Sequence, residues 1–134
     1  MQEISNTNTI VVVDDDADDQ FLIRNVFEQT NPAIEIVTLS DGDEVLPYLS
    51  TQLALPELVL LDLNMARLNG MQTLAMLRGD KRFVSLPVVI YTTSSNPQER
   101  AKALASGASD FITKPGDYTD LLKLAQRLEL EWIR

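Results

Sequence analysis

Apolar runs in this chain stop at polar residues whose types suit metal or phosphate chemistry. Asp14, Asp15 and Asp16 follow Ile10-Val11-Val12-Val13, and Asp62 follows Leu58-Val59-Leu60-Leu61. Thr92 follows Val88-Val89-Ile90-Tyr91, and Lys114 follows Phe111-Ile112-Thr113. Gathered at one place, these residues supply several carboxylates, a hydroxyl and an ammonium. Carboxylates a few ångströms apart oppose each other's charge, so such a cluster holds either protons or a cation. A divalent ion of magnesium size is the economical solution, because it takes oxygen ligands and keeps some waters. A simpler reading has Asp14 to Asp16 capping the next helix. That accounts for Asp16, but not for Asp62 and Lys114 each ending an apolar strand.

The elements that must position these residues follow from period and punctuation. Short apolar runs between helical stretches read as buried parallel strands, and in such sheets ligands collect beyond the strands' carboxyl ends. Strands are expected at about 10–13, 34–39, 58–61, 88–91 and 110–112. Helices are expected from near Asp18 to Gln29, from Asp41-Gly42-Asp43 to near Gln52, from Gly70 to Gly79, from Pro97 to Gly107, and from Tyr118 to Ile133. Asp16 caps the first, with Asp18 and Asp19 at the positive end of its dipole, and Ser95 or Asn96 caps the fourth. Pro47 lies awkwardly in the second helix, so a kink or a late start is expected there. Strict alternation of five strands and five helices predicts an α/β doubly wound sheet with helices on both faces. Periodicity does not order the strands.

Composition narrows the chemistry. The 134 residues suit one domain, here residues 9–134 behind a flexible leader of residues 1–8. With no cysteine and no histidine, disulfides, thiolate chemistry, imidazole catalysis and the usual zinc sites are excluded. A net charge of -9 argues against nucleic acid as the main partner. The polar start lacks the features of a signal peptide and no window approaches a membrane span, so a cytoplasmic protein is expected.

Four motifs, in order and at matching spacing, resemble the receiver domain of two-component response regulators. They are Val11-Val12-Val13-Asp14-Asp15-Asp16, Leu60-Leu61-Asp62-Leu63-Asn64-Met65 with Asn69-Gly70, Tyr91-Thr92-Thr93-Ser94, and Gly107-Ala108-Ser109-Asp110-Phe111-Ile112-Thr113-Lys114-Pro115. The resemblance runs from about Thr9 to Leu130. The acidic start and Thr92-Thr93-Ser94-Ser95-Asn96-Pro97 look most like the small receivers that partner phytochrome-type sensor kinases.

The resemblance implies the flavodoxin-like strand order 2-1-3-4-5 and a set of roles. Asp62 is the phosphoacceptor, taking a phosphoryl group from a phosphohistidine of a sensor histidine kinase or histidine phosphotransfer domain. Mg2+ is held by Asp15 directly, by Asp14 mainly through water, by Asp62, and by the backbone carbonyl of Asn64. Lys114 pairs with phosphoryl oxygens, while Thr92 and the amide after Asp62 bond to another. Phe111 is the aromatic that moves inward as Thr92 shifts, changing the surface of helix 4, strand 5 and helix 5. Taken singly, Thr92 is also a common strand-end hydroxyl, Lys114 a common surface lysine and Phe111 plain core. The family also has a cis bond at the position of Lys114-Pro115, which orients the lysine.

Departures from the pattern carry expectations of their own. Ala66 replaces a usual proline, which predicts a less restrained loop after Asp62. Gly116 replaces a common phenylalanine and predicts a looser start to the last helix. Ser94 has no acid or amide with which to hold an attacking water, which predicts a phosphoaspartate of intermediate or long lifetime. The chain ends at Arg134, just after the last helix, so the expected output is an interaction rather than an appended domain. Leu130, Trp132 and Ile133 form a candidate dimer or kinase-docking patch, and Phe21 and Leu22 on the first helix are the expected contacts for a phosphotransfer partner. Mg-dependent self-phosphorylation from a phosphodonor and slow autodephosphorylation are the only catalysis expected. Two rival classes are a pseudo-receiver adaptor and a haloacid-dehalogenase-like phosphatase. The first usually lacks the acidic residues retained here, and the second needs a second aspartate where Asn64 stands.

Overall fold

A computed structural model describes residues 8–133. The leader expected over residues 1–8 therefore lies outside the described residues except for Asn8, whose carbonyl accepts the Glu35 amide at 2.7 Å. The elements are β1 (Thr9–Val13), α1 (Ala17–Thr30), β2 (Glu35–Leu39), α2 (Val45–Ser50), β3 (Leu58–Leu61), α3 (Gly70–Arg78), β4 (Val88–Thr92), α4 (Pro97–Ala105), β5 (Asp110–Thr113) and α5 (Tyr118–Trp132). A 3-10 turn over Gly42–Glu44 leads into α2. The strands form one parallel sheet in the order β2-β1-β3-β4-β5, which is the order that the receiver resemblance implies.

Local chemistry explains the helix ends. The Asp16 carboxylate accepts the amides of Asp18 and Asp19, and Asn96 does the same for Gln98 and Glu99 ahead of Pro97. Asn69 and Gln72 form a reciprocal capping box at α3, and Asp117 caps α5 just after Gly116. Of the two outcomes expected for the second helix, a kink or a late start, the structure shows the late start. The α-helix starts late, at Val45, which places Pro47 in its first turn. Amides there have no intrahelical partner, so the missing N–H of proline costs nothing.

Alternation along the strands divides the core between two faces. Val12, Leu58, Leu60, Val89 and Ile112 pack with Ile23, Phe27, Leu124 and Leu128 of α1 and α5. Val11, Val13, Val59, Leu61 and Ile90 pack with Val45, Leu49, Leu74, Leu77 and Ala103 of α2, α3 and α4. Phe111 belongs to this second face. On α5, Leu121, Leu124, Ala125 and Leu128 are core. Trp132 and Ile133 pack partly buried against the same cluster, so the expected apolar patch contracts to Leu130, which is 87% exposed.

Candidate functional site

Strand register sets the site before any side chain is considered. Val13 of β1 lies opposite both Leu39 of β2 and Leu61 of β3, and Thr92 of β4 lies opposite Thr113 of β5. The next residues continue the ladders. The Asp14 amide donates to the Leu39 carbonyl at 3.0 Å, the Asp62 amide to Val13 at 3.0 Å, and the Lys114 amide to Thr92 at 2.7 Å. Asp14, Asp62 and Lys114 thus sit at the same end of the sheet.

Their side chains meet. Lys114 Nζ donates to Asp14 Oδ2 at 2.7 Å, to Asp19 Oδ2 at 2.7 Å and to Asp62 Oδ2 at 3.2 Å. The Lys114 side chain is only 8% exposed, so this is a buried network rather than a surface pair. Burial pushes the Asp14 carboxyl up to about 6, against the pull of Lys114 and of the Asp16 amide. Burial disfavours the lysine charge too. Hydrogen bonds to Asp14 and Asp19 outweigh it and hold Lys114 above the usual lysine range. Burial likewise raises Tyr91, whose ring centroid lies 5.5 Å from Lys114 Nζ.

Asp14, Asp15 and Asp62 each offer a carboxylate oxygen, all within 4.8 Å of one another. An all-oxygen donor set with one exposed member suits a hard divalent cation that keeps part of its water shell. Asn64 is exposed beside them, with its amide 3.5 Å from Asp62 Oδ1. Thr92 is fully buried, and its hydroxyl accepts the Ser94 amide at 3.4 Å. Thr92 continues the alternation of Ile90, so it shares the α3–α4 face with Phe111. The charged network lies toward α1.

Several residues were not anticipated. Asp19, which the sequence places only at the positive end of the helix dipole, binds Lys114. Asp41 is buried and accepts the amides of Arg67 and Leu68 at 2.9 Å each. Arg67 also reaches Asp43 at 2.6 Å. These bonds correct the expectation of a loose loop around Ala66, because carboxylates from the β2–α2 turn hold it in place of a proline ring. Ser94 Oγ hydrogen-bonds to Glu99, so α4 brings an acid to a position expected to have none. Every described peptide bond is trans, including Lys114-Pro115, and the lysine reaches its partners in that geometry. Gly116 lines a cleft of about 110 Å³ together with Leu22, Pro115, Tyr118 and Leu121.

A five-stranded 2-1-3-4-5 sheet with an acidic cluster and a lysine at its strand ends defines a doubly wound α/β domain with a candidate cation site beyond the strands' carboxyl ends. The model of the response regulator receiver domain matches residues 10–126, and the chain belongs to that family of two-component signalling proteins. It is 29% identical to response regulator Rcp1 of Synechocystis sp. over 99% of this chain and 95% of that one. Among solved structures, the phosphorylated cyanobacterial phytochrome response regulator RcpA matches with a TM-score of 0.85 at 28% identity, covering 94% of each chain. The Mn(2+)-bound form of Rcp1 matches with a TM-score of 0.82 at 28% identity, again over 94% of each. Receivers of this kind pair with sensor histidine kinases and bind a divalent metal. No described helix is long and apolar enough to cross a membrane.

Proposed function

We propose that the chain takes a phosphoryl group from a sensor histidine kinase, or from a histidine phosphotransfer domain, onto Asp62. The observation that carries this reading is the buried ammonium of Lys114 shared between Asp14 and Asp62, 100 and 52 residues away. In the transfer, an Asp62 carboxylate oxygen forms a bond to phosphorus as the bond to the donor's imidazole nitrogen breaks. Asp14, Asp15, Asp62 and the Asn64 carbonyl would hold Mg2+, which supplies charge screening between the carboxylate and the incoming phosphoryl group. Lys114 turns its protons from carboxylates to phosphoryl oxygens. Thr92 and the Leu63 amide take another oxygen.

The readout follows from what Thr92 is tied to. Its hydroxyl accepts from Ser94, the Ser94 carbonyl accepts from Thr113 Oγ1 at 2.9 Å, and Arg100 of α4 donates to the Phe111 carbonyl at 2.8 Å. A shift of Thr92 toward the phosphoryl group therefore moves the β4–α4 loop against β5. With Phe111 turning inward, the surface of α4, β5 and α5 changes for a downstream protein or a second copy. The donor docks on α1, where Phe21 is 65% exposed and Leu22 lines the cleft next to Gly116. The similarity to phytochrome response regulators supports a phytochrome-type kinase as that donor, in the cytoplasm. Intact-mass measurement after acetyl phosphate with Mg2+ tests the proposal. Wild type gains one phosphoryl group and Asp62→Asn gains none; an unmodified wild type that a histidine kinase also leaves unmodified overturns it.

A further inference from the structure

Lys114 has one partner that the phosphoacceptor chemistry does not claim. Its ammonium carries three protons, and the structure spends them on Asp14, Asp19 and Asp62. Asp14 and Asp62 belong to the carboxylate trio that could hold a cation, whereas Asp19 lies outside it. We infer that Asp19 is a positioning residue that keeps Lys114 aimed across the site while Asp14 and Asp62 engage other partners. The inference rests on the phosphoacceptor reading and deepens it.

Geometry supports that role. Asp19 sits in the first turn of α1, a helix end fixed by the Asp16 cap, so its carboxylate starts from a rigid element. Its side chain is 28% exposed, against 2% for Asp14, which places it at the rim of the network. Lysine is a point charge on a flexible four-carbon stem and loses its aim readily when freed. With Asp14 and Asp62 turned to cation and phosphoryl group, a lysine without Asp19 has no carboxylate left to hold it. The bond also ties α1 to the end of β5 across 95 residues. Asp19 thus lets Lys114 pivot from one acceptor to the next without leaving the site.

Asp18 provides the control. It shares the first turn of α1 and the same favourable interaction with the helix dipole, but it is exposed and does not bind Lys114. The test compares rates of phosphorylation by acetyl phosphate at saturating Mg2+, followed by intact mass, with Mg2+ affinity measured separately by calorimetry. Asp19→Ala slows phosphorylation about tenfold, as expected for one lost charge-assisted hydrogen bond. Asp18→Ala stays within about twofold of wild type, as exposed charges do. Asp19→Asn, which keeps an accepting oxygen, recovers a large part of the rate, and Mg2+ affinity is the same in Asp19→Ala and Asp18→Ala. Equal rates in the two alanine variants overturn the positioning role, and so does a loss of Mg2+ affinity confined to Asp19→Ala, which would make Asp19 a metal ligand. Failure of wild type itself to be phosphorylated overturns the underlying reading instead.

Discussion

The Asp41 carboxylate accepts the backbone amide of Arg67 at 2.9 Å, joining the turn after β2 to the loop after β3. Its second oxygen accepts the amides of Leu68 at 2.9 Å and Asp43 at 3.2 Å. One buried side chain therefore sets the path of the loop that leaves Asp62. Asp41→Ala leaves those amides without acceptors and is expected to cost about 3 kcal/mol. Urea denaturation measures the loss, and slower phosphorylation by acetyl phosphate accompanies it.

Acid should reveal the same residue. Burial acts to raise the Asp41 carboxyl, but the amides of Arg67, Leu68 and Asp43 outweigh it and lower the pKa from 3.8 to about 2. A depressed folded-state pKa stabilises the fold above the unfolded value and loses that contribution as pH falls through the folded one. Asp41 therefore adds stability that is full above pH 3.8 and is lost toward pH 2. In urea titrations over that window, Asp41→Asn should show a shallower fall in stability than wild type. Parallel curves would refute the assignment.

Removing Lys114 leaves Asp14 and Asp62 facing each other in a buried site. Lys114→Ala should destabilise the metal-free protein by about 3 kcal/mol, as expected when one partner of a buried ionic network is deleted. Mg2+ should restore much of that stability, because a cation replaces the lost charge. Thermal melts with and without Mg2+ should show a larger metal-induced rise in the variant than in wild type.

Gly70 approaches the backbone of Asp62, the proposed phosphoacceptor. A Cβ there would lie 2.3 Å from the Asp62 carbonyl oxygen and 2.8 Å from Leu63 Cα. Gly70→Ala must displace the start of α3 or the end of β3, at about 2 kcal/mol. Because the displacement falls at Asp62, phosphorylation at saturating donor should drop in variant protein that is still fully folded by circular dichroism.

Glu99 is held by Ser94 Oγ, which directs the nearest α4 carboxylate to a hydroxyl rather than to water. The phosphoaspartate is accordingly expected to be long-lived. Ser94→Glu places an acid at that position and should shorten the lifetime severalfold, read as loss of the phosphoryl mass with time. An unchanged decay would remove position 94 from any role in hydrolysis.

Much of this molecule is local and was legible as such. Apolar runs of the right length marked all five strands, with ends misplaced by a residue at most; Asp16 marked the start of α1, and the pair Ser95-Asn96 the start of α4, where Asn96 is the cap. Capping and alternation depend on neighbours within a few residues, so the sequence carries them openly. Pro47 was ambiguous because one proline fits either a kink or a first turn, and only the position of Val45 decided between them.

The sequence by itself determined which residues end the strands and what chemistry they offer, since both follow from residue type and period. The tertiary structure alone decided who meets whom. Asp19 joins Lys114 because β5 ends beside the start of α1, and Asp41 reaches Arg67 because two strand-end turns lie together. Thr92 and Phe111 share a face away from the charged network because strand parity, fixed by packing on α3 and α4, sends them there. Those pairings span many residues of chain, and their energies depend on burial that only the closed sheet and its two helical layers create.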